Sequence, residues 1–167
     1  MRGRLTHTYL IALGSNMRTV RHGLPRRVIA EAARALEEVG ELRALSPIIR
    51  TAPLGPSARR YANACALIDS PLEPDEMLRE CARIERRFAR RRRGRRWNAR
   101  TLDLDIVLWS AGIFASAELQ IPHPRFRSRG FVLEPAAAIA PGWRDPVTGL
   151  TLAQLKARLT SPRPIRR

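Results

Sequence analysis

Arg100-Thr101-Leu102-Asp103-Leu104-Asp105-Ile106-Val107-Leu108-Trp109 is the stretch on which the reading of this chain turns. It is mostly apolar, and side chains on a strand alternate faces. Asp103 and Asp105 therefore share one face, and Leu102, Leu104, Ile106 and Leu108 share the other. Two carboxylates side by side repel each other and lose hydration unless a cation lies between them. One or two divalent metal ions would meet that need, and so would a network of salt bridges to arginine.

Immediately upstream, eleven arginines fall between Arg79 and Arg100. They dominate a chain with 31 basic and 15 acidic residues, a net charge of +16, and Lys156 as its one lysine. Such a cluster attracts nucleic acid or a small polyanion such as a nucleotide. Magnesium uses one or two carboxylates and takes the rest of its shell from phosphate oxygens and water. Guanidinium groups bind the same phosphates in forked geometry, and Arg90, Arg92 and Arg100 flank the carboxylates. The combination suits a magnesium-nucleotide site, although the chain has no Gly-x-x-x-x-Gly-Lys-Ser/Thr loop. Arg90 to Arg96, highly charged and containing Gly94, reads as a mobile loop.

The rest of the chain supplies a frame for that strand. Tyr9 to Leu13 reads as a short buried strand ending in turn chemistry at Gly14-Ser15-Asn16. Pro25 to Val39 reads as a helix with Val28, Ala32, Leu36 and Val39 on one stripe and Gly40 as its stop. Leu42 to Arg50 is a strand that Pro47 assigns to an edge or a bulge. Tyr61 to Asp69 alternates: Tyr61, Asn63, Cys65 and Leu67 on one face, Ala62, Ala64, Ala66 and Ile68 on the other. Pro74 to about Phe88 is a helix that buries Met77, Cys81, Ile84 and Phe88, with Asp75 and Glu76 at the positive end of its dipole. Short helices follow the Asp-bearing strand at Phe131 to Ile139 and Leu152 to Leu159. The order β-α-β-β-α-β with trailing helices predicts an α+β, ferredoxin-like fold, an antiparallel sheet sandwiched by helices.

Length and composition bound the answer. The 167 residues are enough for one domain, 1–167, with loose ends at 1–6 and 161–167. No apolar run approaches the roughly 18 residues of a membrane span, and Tyr9 to Leu13 is too short for a signal peptide. Cys65 and Cys81 fit no metal or redox spacing and read as buried free thiols. The expectation is a cytoplasmic monomer acting on small molecules, without nucleic-acid or membrane partners. Four further residues could bind such molecules. His123 is held between Pro122 and Pro124 and followed by Arg125, Arg127 and Arg129, which suits a phosphate or base contact. Tyr61 and Phe131 are either core residues or two sides of a sandwich around a flat heterocycle, and Asn63 could donate to and accept from its edge.

Taken in order, these segments resemble the 6-hydroxymethyl-7,8-dihydropterin pyrophosphokinases of folate biosynthesis. The resemblance runs from about Tyr9 to Trp143. It is carried by Gly14-Ser15-Asn16, Arg50-Thr51-Ala52-Pro53-Leu54-Gly55-Pro56, Tyr61-Ala62-Asn63-Ala64, Arg83-Ile84-Glu85, Trp97 to Asp105, and Pro122-His123-Pro124 with Arg129-Gly130-Phe131. It implies an enzyme that transfers pyrophosphate from ATP to the pterin's hydroxymethyl group and releases AMP. It further implies that Asp103 and Asp105 hold two magnesium ions, that Arg90 and Arg100 bind the phosphates, and that Arg92, Ile106, His123 and Arg129 contact ATP. The pterin would lie between Tyr61 and Phe131, with Asn63, the segment Thr51, Pro53 and Leu54, and Trp97 around it. The chain departs from the family at Trp97-Asn98-Ala99-Arg100, where Trp-Gly-Pro-Arg is usual, and at Pro124, where an aromatic often follows the histidine.

A basic ferredoxin-like RNA- or DNA-binding module, or a metal-dependent nuclease, is the competing reading. Only 5% of residues are aromatic, few for a sheet that stacks bases. Paired aspartates would repel phosphates without metal, and a nuclease would need further acidic ligands, for which Glu85 is the nearest candidate.

Overall fold

A computed structural model describes residues 5–16, 25–51, 61–90 and 102–162. Strand β1 (His7–Asn16) leads to helix α1 (Pro25–Leu36), β2 (Glu41–Leu45), β3 (Ile49–Thr51), β4 (Tyr61–Ser70), α2 (Pro74–Arg90) and β5 (Asp103–Trp109). A small hairpin of β6 (Phe114–Ala115) and β7 (Gln120–Ile121), a 3-10 turn (Phe126–Ser128), α3 (Gly130–Ile139) and α4 (Leu152–Thr160) follow. The main sheet runs β2-β4-β1-β5 with every neighbour antiparallel, and β3 continues the β2 edge against β4. This is the ferredoxin-like order expected from the sequence.

Alternation divides the core in two. Tyr9, Ile11 and Leu13 of β1, Ala62 to Ile68 in alternation on β4, and Leu104 and Ile106 of β5 pack with Ile29, Ala32 and Leu36 of α1 and Met77, Cys81, Ile84 and Phe88 of α2. On the opposite face Leu10, Ala12, Cys65 and Val107 pack with Val132, Leu133 and Ala136 of α3 and Leu152 and Leu155 of α4. Helices thus cover both faces. Cys65 and Cys81 are free and buried, as expected, and burial pushes each thiol up to about 12.

The local expectations fail at four places, each with a physical reason. Gly14-Ser15-Asn16 is strand rather than turn, because Asn63, Ala62 and Tyr61 of β4 pair with it and override turn preference. The expected strand Leu42 to Arg50 is two strands. Between them Ser46 pairs with Cys65 through its backbone N–H, and its hydroxyl accepts from the Cys65 N–H, while Pro47 has no N–H to offer a ladder. Helix α1 ends at Leu36, three residues early, in turns whose N–H groups at 37, 38 and 39 reach back three residues. The register of β5 on β1 shifts between Leu10 and Ile11, so Val107 is an extra residue and Leu108 joins the α3/α4 core instead of the face expected for it.

A buried ion pair ties the C-terminal half together. The guanidinium of Arg127, in the 3-10 turn, donates to both carboxylate oxygens of fully buried Asp145 at 2.6 and 2.8 Å. The Thr148 hydroxyl and the Val147 N–H complete the acceptor shell. Burial raises the Asp145 carboxyl, but these hydrogen bonds outweigh it and hold the group at about 2, below its ordinary 3.8. The stabilisation is therefore complete above about pH 4 and lost as pH falls through about 2, and the shift corresponds to about 2 kcal/mol. Asp145→Asn should lower the unfolding free energy by roughly that amount at pH 7. In urea melts the gap to the wild-type protein should close between pH 4 and pH 2, and a gap independent of pH would refute the assignment.

Candidate active site

The face of the sheet that carries α3 and α4 is left open at one end, and the sequence fills that end with chemistry. Register places Gly14 of β1 opposite Asn63 of β4 on one side and Asp103 of β5 on the other, with Ala12 opposite Cys65 and Asp105. Asn63, Asp103 and Asp105 consequently project from one face, Asn63 and Asp103 in line across β4, β1 and β5. A cleft of about 720 Å³ opens there. Its floor is Ala12 and Gly14, and its walls include Thr51, Tyr61, Asn63, Asp103, Asp105, Arg129 and Phe131.

One side of the cleft is built to present polar edges beside rings. Buried Asn63 donates from Nδ2 to the Thr51 hydroxyl at 3.0 Å, which fixes the amide's orientation. Tyr61 lies two residues along the same strand and is 37% exposed, too open for a core aromatic. Phe131, in the first turn of α3, is half-buried, and the Arg129 guanidinium lies 5.6 Å from its ring centre.

The other side is electrostatic. Asp105 is exposed and Asp103 half-buried. Between them the backbone N–H of Leu104 points away from β1 on this edge strand and donates to the Glu85 carboxylate of α2 at 2.7 Å. Glu85 thereby anchors the strand segment that bears both aspartates. The extra residue of the β5 bulge has a second use: the Val107 carbonyl accepts from the His123 N–H at 3.0 Å and holds the proline-flanked loop beside Asp105. His123 Nδ1 accepts from the Arg125 N–H, so the neutral ring carries its proton on Nε2. Burial pushes the His123 imidazole below the ordinary histidine range; Asp105 opposes this, and Arg129 and Arg125 reinforce it.

The structure thus brings together Thr51, Tyr61, Asn63, Asp103, Asp105, Arg129 and Phe131, with His123 adjacent. Ile106 buries its side chain against α1 and α2 on the opposite face, which leaves its backbone for the contact expected of it. Arg90 ends α2, and Pro53, Leu54, Arg92, Trp97 and Arg100 lie outside the described residues. Sequence reasoning missed Gly14 and Ala12 as the floor; their signal was the smallness of alternate residues on a central strand, masked by the turn character of Gly-Ser-Asn. Among the described residues no three His, Cys, Asp or Glu side chains converge as a metal cage. Two carboxylates on an open cleft do fit magnesium, which completes its shell with phosphate and water.

Fold and cleft together define the class, an α+β protein with a cleft of small-molecule size on one face of its sheet. The family model described as 7,8-dihydro-6-hydroxymethylpterin-pyrophosphokinase (HPPK) matches residues 10–141, and the chain belongs to that family. A 2-amino-4-hydroxy-6-hydroxymethyldihydropteridine pyrophosphokinase of Synechocystis is 38% identical over 149 residues, 89% of this chain and 74% of its own. The enzyme of that name from Pseudomonas aeruginosa is 39% identical over 139 residues, 81% of this chain and 82% of its own. A solved Plasmodium falciparum HPPK-DHPS chain matches with a TM-score of 0.71 at 14% identity, over 94% of this chain and 46% of that one. The present chain thus spans less than half of that protein, and the likeness to it is one of fold.

The Glu85 anchor makes a specific prediction. Glu85→Leu leaves the Leu104 N–H without its acceptor, whereas Glu85→Gln keeps a carbonyl oxygen in place. Amide exchange at Leu104 should accelerate about tenfold or more in the first variant and stay near the wild-type rate in the second, as the usual cost of an unmet hydrogen bond implies. Equal exchange in all three proteins would remove Glu85 from this role.

Proposed function

We propose that the cleft is where this pyrophosphokinase transfers the β,γ-pyrophosphate of ATP to the hydroxymethyl group of 6-hydroxymethyl-7,8-dihydropterin, a step of folate biosynthesis that leaves AMP. The observation that carries the proposal is the row Asn63–Gly14–Asp103: a fixed amide for a heterocycle's edge and a carboxylate for metal-borne phosphates stand on adjoining strands of one face. Tyr61 and Phe131 would stack on the pterin ring, and Asn63 with Thr51 and the backbone at Pro53 and Leu54 would read its polar edge. Trp97 would add a further contact to the pterin. Asp103 and Asp105 would hold two magnesium ions, whose charge would offset that of the ATP phosphates.

The chain's own groups then position the in-line reaction. Arg90 and Arg100 would take up charge developing on the transferring group, and Arg92 would contact the nucleotide. His123, Arg129 and the backbone of Ile106 would orient ATP, with the Nε2 proton of neutral His123 available as a donor. Transfer of this type rests on positioning and electrostatics more than on proton movement. Both cores share one sheet, which supports reading residues 1–167 as a single domain. An ATP-dependent step on a small molecule suits the cytoplasm, where the enzyme would act as a monomer.

The competing nucleic-acid reading finds little in the cleft, whose polar groups converge on one small volume. The test is the carboxylate pair. Asp103→Ala and Asp105→Ala should each lose roughly 100-fold or more in pterin-dependent ATP consumption, as loss of several kcal/mol of metal-borne stabilisation requires, while melting temperature changes little. Chelation of magnesium should abolish wild-type turnover and its restoration recover it. Unchanged rates in both variants would refute the metal assignment.

A further inference from the structure

Gly14 lies on the floor of the cleft, in an environment unusual for a glycine in the middle of a sheet. A glycine there weakens a strand and commonly marks a place where something approaches the backbone closely. Here the protein itself does not approach. A Cβ built on Gly14 would meet the Asn63 Oδ1 at 3.4 Å and the Asp103 Cβ at 4.0 Å, both ordinary contact distances. Gly40 shows the contrast: a Cβ there would lie 2.3 Å from the Asp69 carbonyl oxygen, so packing alone demands glycine. Nor does backbone conformation demand it, since Gly14 sits in regular pairing with Asn63 and Asp103 and is not among the glycines with positive φ. Packing and backbone would both accept alanine at this position.

The methyl group of that alanine would stand in the cleft, on the line from the amide of Asn63 to the carboxylate of Asp103. We infer that Gly14 is a specificity-determining residue: its missing side chain leaves the passage through which the hydroxymethyl arm of a ring held at Asn63 reaches the phosphates at Asp103. The inference rests on the proposed pterin and ATP sites, and it adds a steric condition that neither Asn63 nor Asp103 supplies. A side chain at this position would lift or displace the ring, while the Asp105 and His123 end of the cleft, where the rest of the nucleotide would lie, stays beyond its reach.

Calorimetric titration of Gly14→Ala separates the possibilities, with ATP alone and then with hydroxymethyl-dihydropterin in the presence of a non-hydrolysable ATP analogue and magnesium. The expected result is ATP affinity within about twofold of wild type and pterin affinity weakened about tenfold or more, the scale on which an added methylene disturbs a filled site. Gly14→Val should weaken the pterin further and again spare ATP. A misfolded fraction would lower the number of sites for both ligands equally and leave the dissociation constants of the folded remainder unchanged, so the contrast between ligands survives partial unfolding. Wild-type pterin affinity in Gly14→Ala, or an equal loss for both ligands in their dissociation constants, would overturn the inference while the proposed function stands. A wild-type protein that binds ATP but no pterin would overturn the proposed function itself.

Discussion

The pairing register of β1, the strand held between β4 and β5, is the constraint on which the cleft depends. Residues 10, 12 and 14 face one way and 9, 11 and 13 the other, and both sets are needed for burial. A slip of one residue against β5 would turn Asp103 and Asp105 into the core beneath α1 and α2, at a cost of several kcal/mol for each unpaired carboxylate. The same slip against β4 would bury the amide of Asn63 without its Thr51 partner. Two apolar cores, one on each face, thus fix the geometry of a polar site that contributes little to folding on its own.

The one irregularity in β5 serves the site as well. The bulge at Val107 returns Leu108 to the second core and frees a carbonyl for the His123 N–H. Packing demand and site construction meet in a single inserted residue, and the loop carrying His123 is carried against the carboxylates by backbone contact. Further along, the Arg127–Asp145 pair holds the turn from which Arg129 and Phe131 enter the cleft.

Much of this was legible in the sequence because period-two alternation is strong in β4 and in the first half of β5. The faces predicted for Tyr61 to Ile68 and for Asp103 to Ile106 are those observed. What escaped was set by distant partners. Gly14-Ser15-Asn16 carries turn residues but is strand because β4 lies beside it. The bulge depends on how β5 meets β1, and Asp145 looks like a loop carboxylate until Arg127, eighteen residues away, is seen to cover it.

Magnesium held at Asp103 and Asp105 and a pterin held at Tyr61, Asn63 and Phe131 would together move two phosphoryl groups at once. The most direct test is to identify the nucleotide released from ATP in the presence of magnesium and hydroxymethyl-dihydropterin, by phosphorus NMR of the reaction mixture. AMP and the pterin diphosphate should appear in equal amounts, with no cleavage when the pterin is omitted. Release of ADP, or ATP cleavage that proceeds equally well without the pterin, would contradict that mechanism.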